Sequence, residues 1–124
     1  MVRRVALVLS EEPARIQAQE HVLARQGYLI LVTDKVEVLA TWTARVHVDI
    51  VIADAAIHEG CLASFLMLRQ DAARLRDIPT LVLGALSAAE SRTIADDPSV
   101  TVHPEALDVD AFGAILAEVL PLCA

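Results

Sequence analysis

The sequence predicts a single α/β domain, a (βα)5 arrangement in three layers with a parallel sheet between two helical layers. Three observations carry this. The segment Val48 to Gly60, VDIVIADAAIHEG, is an apolar β-branched run that ends in a carboxylate and then in turn residues. Such a run is the pattern of a strand buried on both faces. Second, 56% of the residues are hydrophobic but only 3% aromatic, so the core is built from Val, Leu, Ile and Ala, the usual filling of a parallel sheet flanked by helices. Third, apolar strand-length runs alternate with helix-period segments along the whole chain, which implies βαβ crossovers.

The elements follow in order. Val5 to Leu9 is the first strand, and Pro13 fits the first turn of a helix running to about Gln26, where a missing N–H costs nothing. Ile16, Ala18, Val22 and Leu23 share one arc of that helix, Arg15, Gln17 and Glu20 face water, and Gly27 supplies the stop. Tyr28 to Val32 is the second strand. Thr33-Asp34 open a helix over Lys35 to Arg45, with Val36, Leu39, Ala40 and Thr43 at helical spacing and Trp42 as a core residue. The third strand runs from Ile50 into Asp54. Leu62, Phe65, Leu66 and Arg69 mark a third helix that fades over Asp71 to Asp77, and Thr80 to Leu83 is the fourth strand. Ser87 and Glu90 have capping-box spacing, which starts a short helix at Ala88 that ends by Asp96-Asp97-Pro98. Val100 to Val102 is the fifth strand, His103-Pro104 a turn, and Asp108 the N-cap of a last helix with Phe112, Ile115, Leu116 and Val119 on one face before Pro121.

The 124 residues are expected to form one domain spanning residues 3–121. A formal charge of −7 opposes contact with nucleic acid or an anionic membrane surface, since an acidic partner releases no counterions from a polyanion. No apolar stretch has the length of a membrane span. The basic start, Met1 to Arg4, precedes an apolar run too short for a signal peptide. Cys61 and Cys123 have no metal spacing and read as unpaired thiols, and the expected compartment is the cytoplasm.

In an open parallel sheet, ligands gather at the C-terminal strand edge where strand order reverses. With strand order 2-1-3-4-5, the carboxylates Glu11 and Asp54 meet at that point. Together with a backbone carbonyl after Asp54 they form hard oxygen donors of the type Mg²⁺ or Mn²⁺ takes. A metal there lets a phosphoryl donor approach Asp54 as a nucleophile. The plainer reading is that Glu11 and Glu12 complement a helix dipole and Asp54 orders a turn.

ALVLSEEP, DIVIAD, RDIPTLVLGALS and VHPE, in this order, resemble the receiver domain of two-component response regulators, and the similarity runs from Arg3 to Leu120. The resemblance implies a flavodoxin-like fold and a non-enzymatic role in phosphorelay signalling. It places the phosphoacceptor, fed by a histidine kinase or phosphotransfer protein, on Asp54. It places Mg²⁺ on Ser10, Glu11, Asp54 and the backbone carbonyl of Ala56, phosphate sensing on Gly84 and His103, and a cis-proline on Pro104. A partner surface, for a downstream target or a homodimer, is expected on the last two helices and strand five.

The chain departs from the family at several of these positions. Ser10 replaces the first acid of the metal pair, and Glu11 is one methylene longer than the usual aspartate. Gly84 replaces the hydroxyl that bonds the phosphoryl group, His103 replaces a lysine, and Val100 replaces an aromatic switch residue. Each lost bond to a phosphoryl group is worth about 1 to 3 kcal/mol, and three such losses slow phosphotransfer by several decades. The alternative is a pseudo-receiver that acts, without phosphorylation, as an interaction or dimerisation module. A flavin phosphate is disfavoured by the acidic Ser10-Glu11-Glu12-Pro13 loop. His58 lacks the D-x-H-x-x-G arrangement of a cobalamin ligand, and His21 and His47 read as surface residues. No Ser-His-Asp arrangement, phosphate-binding glycine loop or dinucleotide fingerprint points to an independent enzyme.

Overall fold

The computed structural model describes residues 4–58, 60–103, 112–114 and 116. In chain order the elements are β1 (Arg4–Leu9), α1 (Pro13–Arg25), β2 (Tyr28–Thr33), α2 (Val36–Arg45), β3 (Ile50–Asp54), α3 (Cys61–Asp71), α4 (Ala73–Arg76), β4 (Thr80–Leu83), α5 (Ala88–Ile94) and β5 (Val100–His103). Residues 112–114 and 116 are also helical. The five strands form one sheet in the order β2-β1-β3-β4-β5, every neighbouring pair parallel. This is the flavodoxin-like topology expected from the sequence.

Side-chain alternation along the strands divides the core into two halves. Ala6, Val8, Ile50, Ile52, Leu81 and Leu83 point to the side covered by Val22 and Leu23 of α1 and by Phe112 and Leu116. Val5, Leu7, Leu9, Val51, Ala53 and Val82 point to the other, where Leu39 of α2, Phe65 and Leu66 of α3 and Leu75 of α4 pack, with Trp42 partly buried against them. Asp54 continues the series Ile50, Ile52 and so belongs to the α1 face. Among the described residues no helix is long and apolar enough to cross a membrane.

Four local signals act as expected. Pro13 opens α1, and Gly27 follows its end with φ +86°, a conformation that favours glycine. The capping box is complete, with Glu90 N–H donating to Ser87 Oγ (3.1 Å) and Ser87 N–H to Glu90 Oε1 (2.8 Å). Thr33 Oγ1 accepts from Lys35 N–H (3.1 Å) at the entry to α2.

Three differences have physical reasons. The helix expected to fade after Asp71 instead breaks at Ala72, which is extended, and resumes for one turn as α4. The Arg69 side chain, buried in the fold, organises this break. Its Nη2 donates to the carbonyls of Arg76 (2.9 Å) and Ile78 (3.1 Å) and to Ser99 Oγ (2.6 Å), its Nε to Thr80 Oγ1 (3.1 Å), and its Nη1 pairs with Asp97. His103 is the last residue of β5, paired in register with Leu83, and not a turn residue. Arg15, expected to face water, turns toward the sheet. The expected cis bond at Pro104, the N-cap at Asp108 and the Ile115 and Val119 positions of the last helix lie outside the described residues.

Candidate functional site

The site is set by strand register. β1 and β3 are neighbours with Leu9 opposite Ala53, so the next residues outward, Ser10 and Asp54, come side by side. Ser10 Oγ donates to Asp54 Oδ2 at 3.2 Å. The residue beside Asp54 is therefore Ser10 and not Glu11, whose side chain is exposed along with that of Glu12. Parity explains the rest. Val8 and Ser10, like Ile52 and Asp54, point to the α1 face, and Arg15 in the first turn of α1 lies above them.

Asp54 is 1% exposed, and both of its carboxylate oxygens are engaged. Oδ1 accepts from Arg15 Nη1 at 2.6 Å and from the backbone N–H of Ala56 at 3.0 Å, and Oδ2 accepts from Ser10. The guanidinium contact is a charge-assisted bond of the strong class. Ser10 is itself held, its N–H donating to the Thr33 carbonyl (3.0 Å) and its Oγ accepting from Glu12 N–H (3.4 Å). The result is a carboxylate turned inward on a cation and two neutral donors.

This donor set does not suit a divalent cation. A hard cation wants several anionic or carbonyl oxygens with free lone pairs. Here the first acid is replaced by Ser10, which uses its hydroxyl proton on Asp54. The carboxylate is also already neutralised by Arg15, which would repel a second positive charge. Among the described residues no group of three or more His, Cys, Asp or Glu side chains is placed to hold a metal ion.

Gly84 follows β4 with φ +122°. Its N–H donates to the His103 carbonyl at 2.7 Å, extending the β4–β5 ladder, so this donor is not free for a phosphoryl oxygen. A Cβ at position 84 would stand 3.0 Å from Ala55 Cβ. The backbone at this position is thus built for a residue with no side chain. His103 is half-buried at the end of β5 and is not among the described hydrogen-bond partners of Asp54.

The remaining polar candidates lie elsewhere. His58 is exposed, with Nε2 at 2.8 Å from the Asp34 carbonyl, and His21 and His47 are exposed too. The Cys61 thiol is buried and donates to the same Asp34 carbonyl at 3.6 Å. Burial pushes its pKa up, and the charges of Asp34, Glu37 and Glu11 push it further, so it stays a thiol and a poor nucleophile. Cys123 lies outside the described residues.

Sequence reasoning missed Arg15. The signal was present in the helical stripe Arg15, Gln19, Val22, Leu23, of which the last three are buried. Arg15 stands one turn before Gln19 on the same face, at the helix end nearest Asp54. Gln19 Oε1 is buried with no hydrogen-bond partner among the described residues, so this stripe is polar at its site end and apolar beyond.

No protein-family model and no curated protein matches the sequence. Solved structures are similar. The chemotaxis response regulator CheY4 of Vibrio cholerae superposes with a TM-score of 0.79 at 14% identity, over 96% of this chain and 100% of that one. The receiver domain of sensor histidine kinase PA1611 from Pseudomonas aeruginosa, solved with a magnesium ion coordinated in its active-site cleft, gives 0.74 at 14% identity over 94% and 97%. A two-component response regulator from Legionella pneumophila gives 0.71 at 19% identity over 94% and 98%. The fold is thus of the flavodoxin-like, doubly wound class. Within that class it is the fold of response-regulator receiver domains.

Proposed function

We propose that this chain is a receiver-type signalling module that works by binding a protein partner, in the cytoplasm, without phosphoryl transfer to Asp54. The observation that carries the reading is the closure of the carboxylate, buried and bonded on both oxygens by Arg15, Ser10 and Ala56 N–H. A nucleophilic oxygen must be reachable by its electrophile, whereas Asp54 is 1% exposed and paired with the Arg15 guanidinium, and a phosphoryl group needs donors at the position it takes up. The position where a hydroxyl would serve is Gly84, with its N–H spent on His103. We take the side of α5 and β5 as the partner surface, and a groove of about 440 Å³ there, lined by Leu86, Ile94, Val100 and Val102 beside Gly84, supports this. On this reading the module is not an enzyme.

A second reading is favoured by the placement of Asp54 at the end of β3 in a receiver fold. In it Asp54 takes a phosphoryl group from a histidine kinase or phosphotransfer protein. Ser10, Glu11 and the Ala56 carbonyl then hold Mg²⁺, and Gly84 and His103 sense the phosphate. Intact mass after incubation with Mg²⁺ and a small-molecule phosphodonor separates the two, with an Asp54→Asn control and an ordinary receiver labelled in parallel. The expected result is no adduct on the wild type. An adduct on the wild type that is missing from Asp54→Asn would overturn the proposal in favour of the second reading.

A further inference from the structure

We infer that Arg15 is a built-in counter-ion that takes the place of a divalent cation at Asp54 and keeps such ions out. The inference deepens the reading above, and rests on it, because it names what holds the site in one state. The guanidinium reaches Asp54 Oδ1 at 2.6 Å from the first turn of α1, while the side chain keeps 36% of its surface in solvent. It is therefore anchored through one guanidinium nitrogen while part of the side chain stays in solvent. A planar, permanently charged fork suits this task, since it neutralises a carboxylate without an exchangeable ion. The position beside Asp54, just past β1, agrees with it, because Ser10 supplies a neutral donor where a second carboxylate would demand a second positive charge. Arg15, Ser10 and Asp54 form a charge-balanced set with no need of metal, and the neutral state of the site is then independent of the ionic conditions.

The test is Mn²⁺ binding to the full chain, followed by paramagnetic broadening of the Ala55 and Ala56 amide resonances. Wild type is compared with Arg15→Ala, with Arg15→Met, which retains the packing of the side-chain stem, with Arg15→Lys, and with Arg15→Ala combined with Asp54→Asn. Removing a positive charge in contact with the carboxylate is expected to raise Mn²⁺ affinity at this site at least about ten-fold. The two amides broaden in Arg15→Ala and Arg15→Met at Mn²⁺ concentrations that leave the wild type sharp. Arg15→Lys, which keeps the charge, behaves like the wild type, and the added Asp54→Asn change abolishes the gain. Broadening of both amides in the wild type at the same Mn²⁺ concentration as in the Arg15 variants overturns the inference, as does the absence of any gain in those variants. If the neutral variants fail to fold, the wild-type titration alone decides, since broadening that the Asp54→Asn protein lacks would show Asp54 open to the ion. A wild type that binds Mn²⁺ at Asp54 yet takes no phosphoryl adduct sinks this inference and leaves the proposed function standing. An adduct at Asp54 sinks the proposed function.

Discussion

Replacing Arg15 by alanine is expected to cost more stability than replacing Asp54 by asparagine, although the two side chains are partners in one contact. The carboxylate is 2% exposed and the arginine side chain 36%. Exposed ion pairs are worth about 0.2 to 1 kcal/mol, and breaking a fully buried pair costs about 3 to 5 kcal/mol because a charge is stranded. Arg15→Ala strands the buried member and leaves it only Ser10 Oγ and Ala56 N–H, which sets its cost at about 2 to 3 kcal/mol. Asp54→Asn removes the buried charge, keeps an oxygen for the Ala56 N–H, and lets Arg15 turn to water, so its cost is about 1 kcal/mol. Once position 54 is neutral, losing Arg15 costs about 0.5 kcal/mol, and the coupling in the double-mutant cycle is about 2 kcal/mol. Urea unfolding of the four proteins measures this directly. For a domain of this size each kcal/mol also moves Tm by about 3 to 5 °C, so Arg15→Ala melts well below Asp54→Asn. A coupling under about 1 kcal/mol, within the range of an exposed pair, would refute the claim that Arg15 neutralises a closed carboxylate.

Other outcomes follow from the same geometry. Arg69→Met is expected to lose about 3 to 5 kcal/mol in urea unfolding, because it strips a buried cation from Asp97, Ser99, Thr80 and two carbonyls at once. A loss below about 1 kcal/mol would show that these contacts do not organise the α3–α4 break. The same hub gives a pH dependence. Burial would raise the Asp97 pKa, but hydrogen bonds from Ser99 and the charge and hydrogen bond of Arg69 outweigh it, and the folded value lies below the ordinary 3.8. The stability Asp97 contributes is thus present above the unfolded pKa and lost as pH falls through the lower folded one. Acid unfolding of Asp97→Asn, compared with wild type, should lack that component. Gly84→Ser is expected to lose about 1 to 3 kcal/mol from its φ of +122°, with added crowding against Ala55. It should give no phosphoryl adduct in the intact-mass assay, and an adduct would show that the missing hydroxyl alone had silenced the site.

The fold was readable because its signals are local and repeated. Each strand is a short apolar run, each crossover a helix-period segment, and punctuation such as Pro13, Gly27 and the Ser87–Glu90 box marks the boundaries to within a residue or so. The site was only partly readable. Asp54 was found because a carboxylate at the end of a buried strand is a local anomaly. Arg15 was assigned to water because charge predicts exposure in general, whereas its place on the Gln19–Val22–Leu23 stripe and the parity of Asp54 predict contact. That deduction needs the strand order and the side covered by α1 together, neither of which a single segment contains. The spent N–H of Gly84 was hidden for a related reason, since its partner is a carbonyl 19 residues away on a neighbouring strand. The break at Ala72 was missed because a lone buried Arg69 looks like the polar end of a helix until the acceptors on four later segments are known.

The link from Arg15 to Asp54 also bears on how α1 opens. Glu12 at the head of α1 makes no side-chain capping bond, so the first turn is fastened to the sheet by Arg15 rather than closed by a cap of its own. A helix end without a cap normally frays on its own, far more readily than the domain unfolds. Here fraying must strip a buried carboxylate of the Arg15 cation, which ties the breathing of that turn to the sheet beneath it. Amides at the start of α1 should then exchange with solvent more slowly than the missing cap implies, and access to Asp54 is governed by how often this helix end lifts.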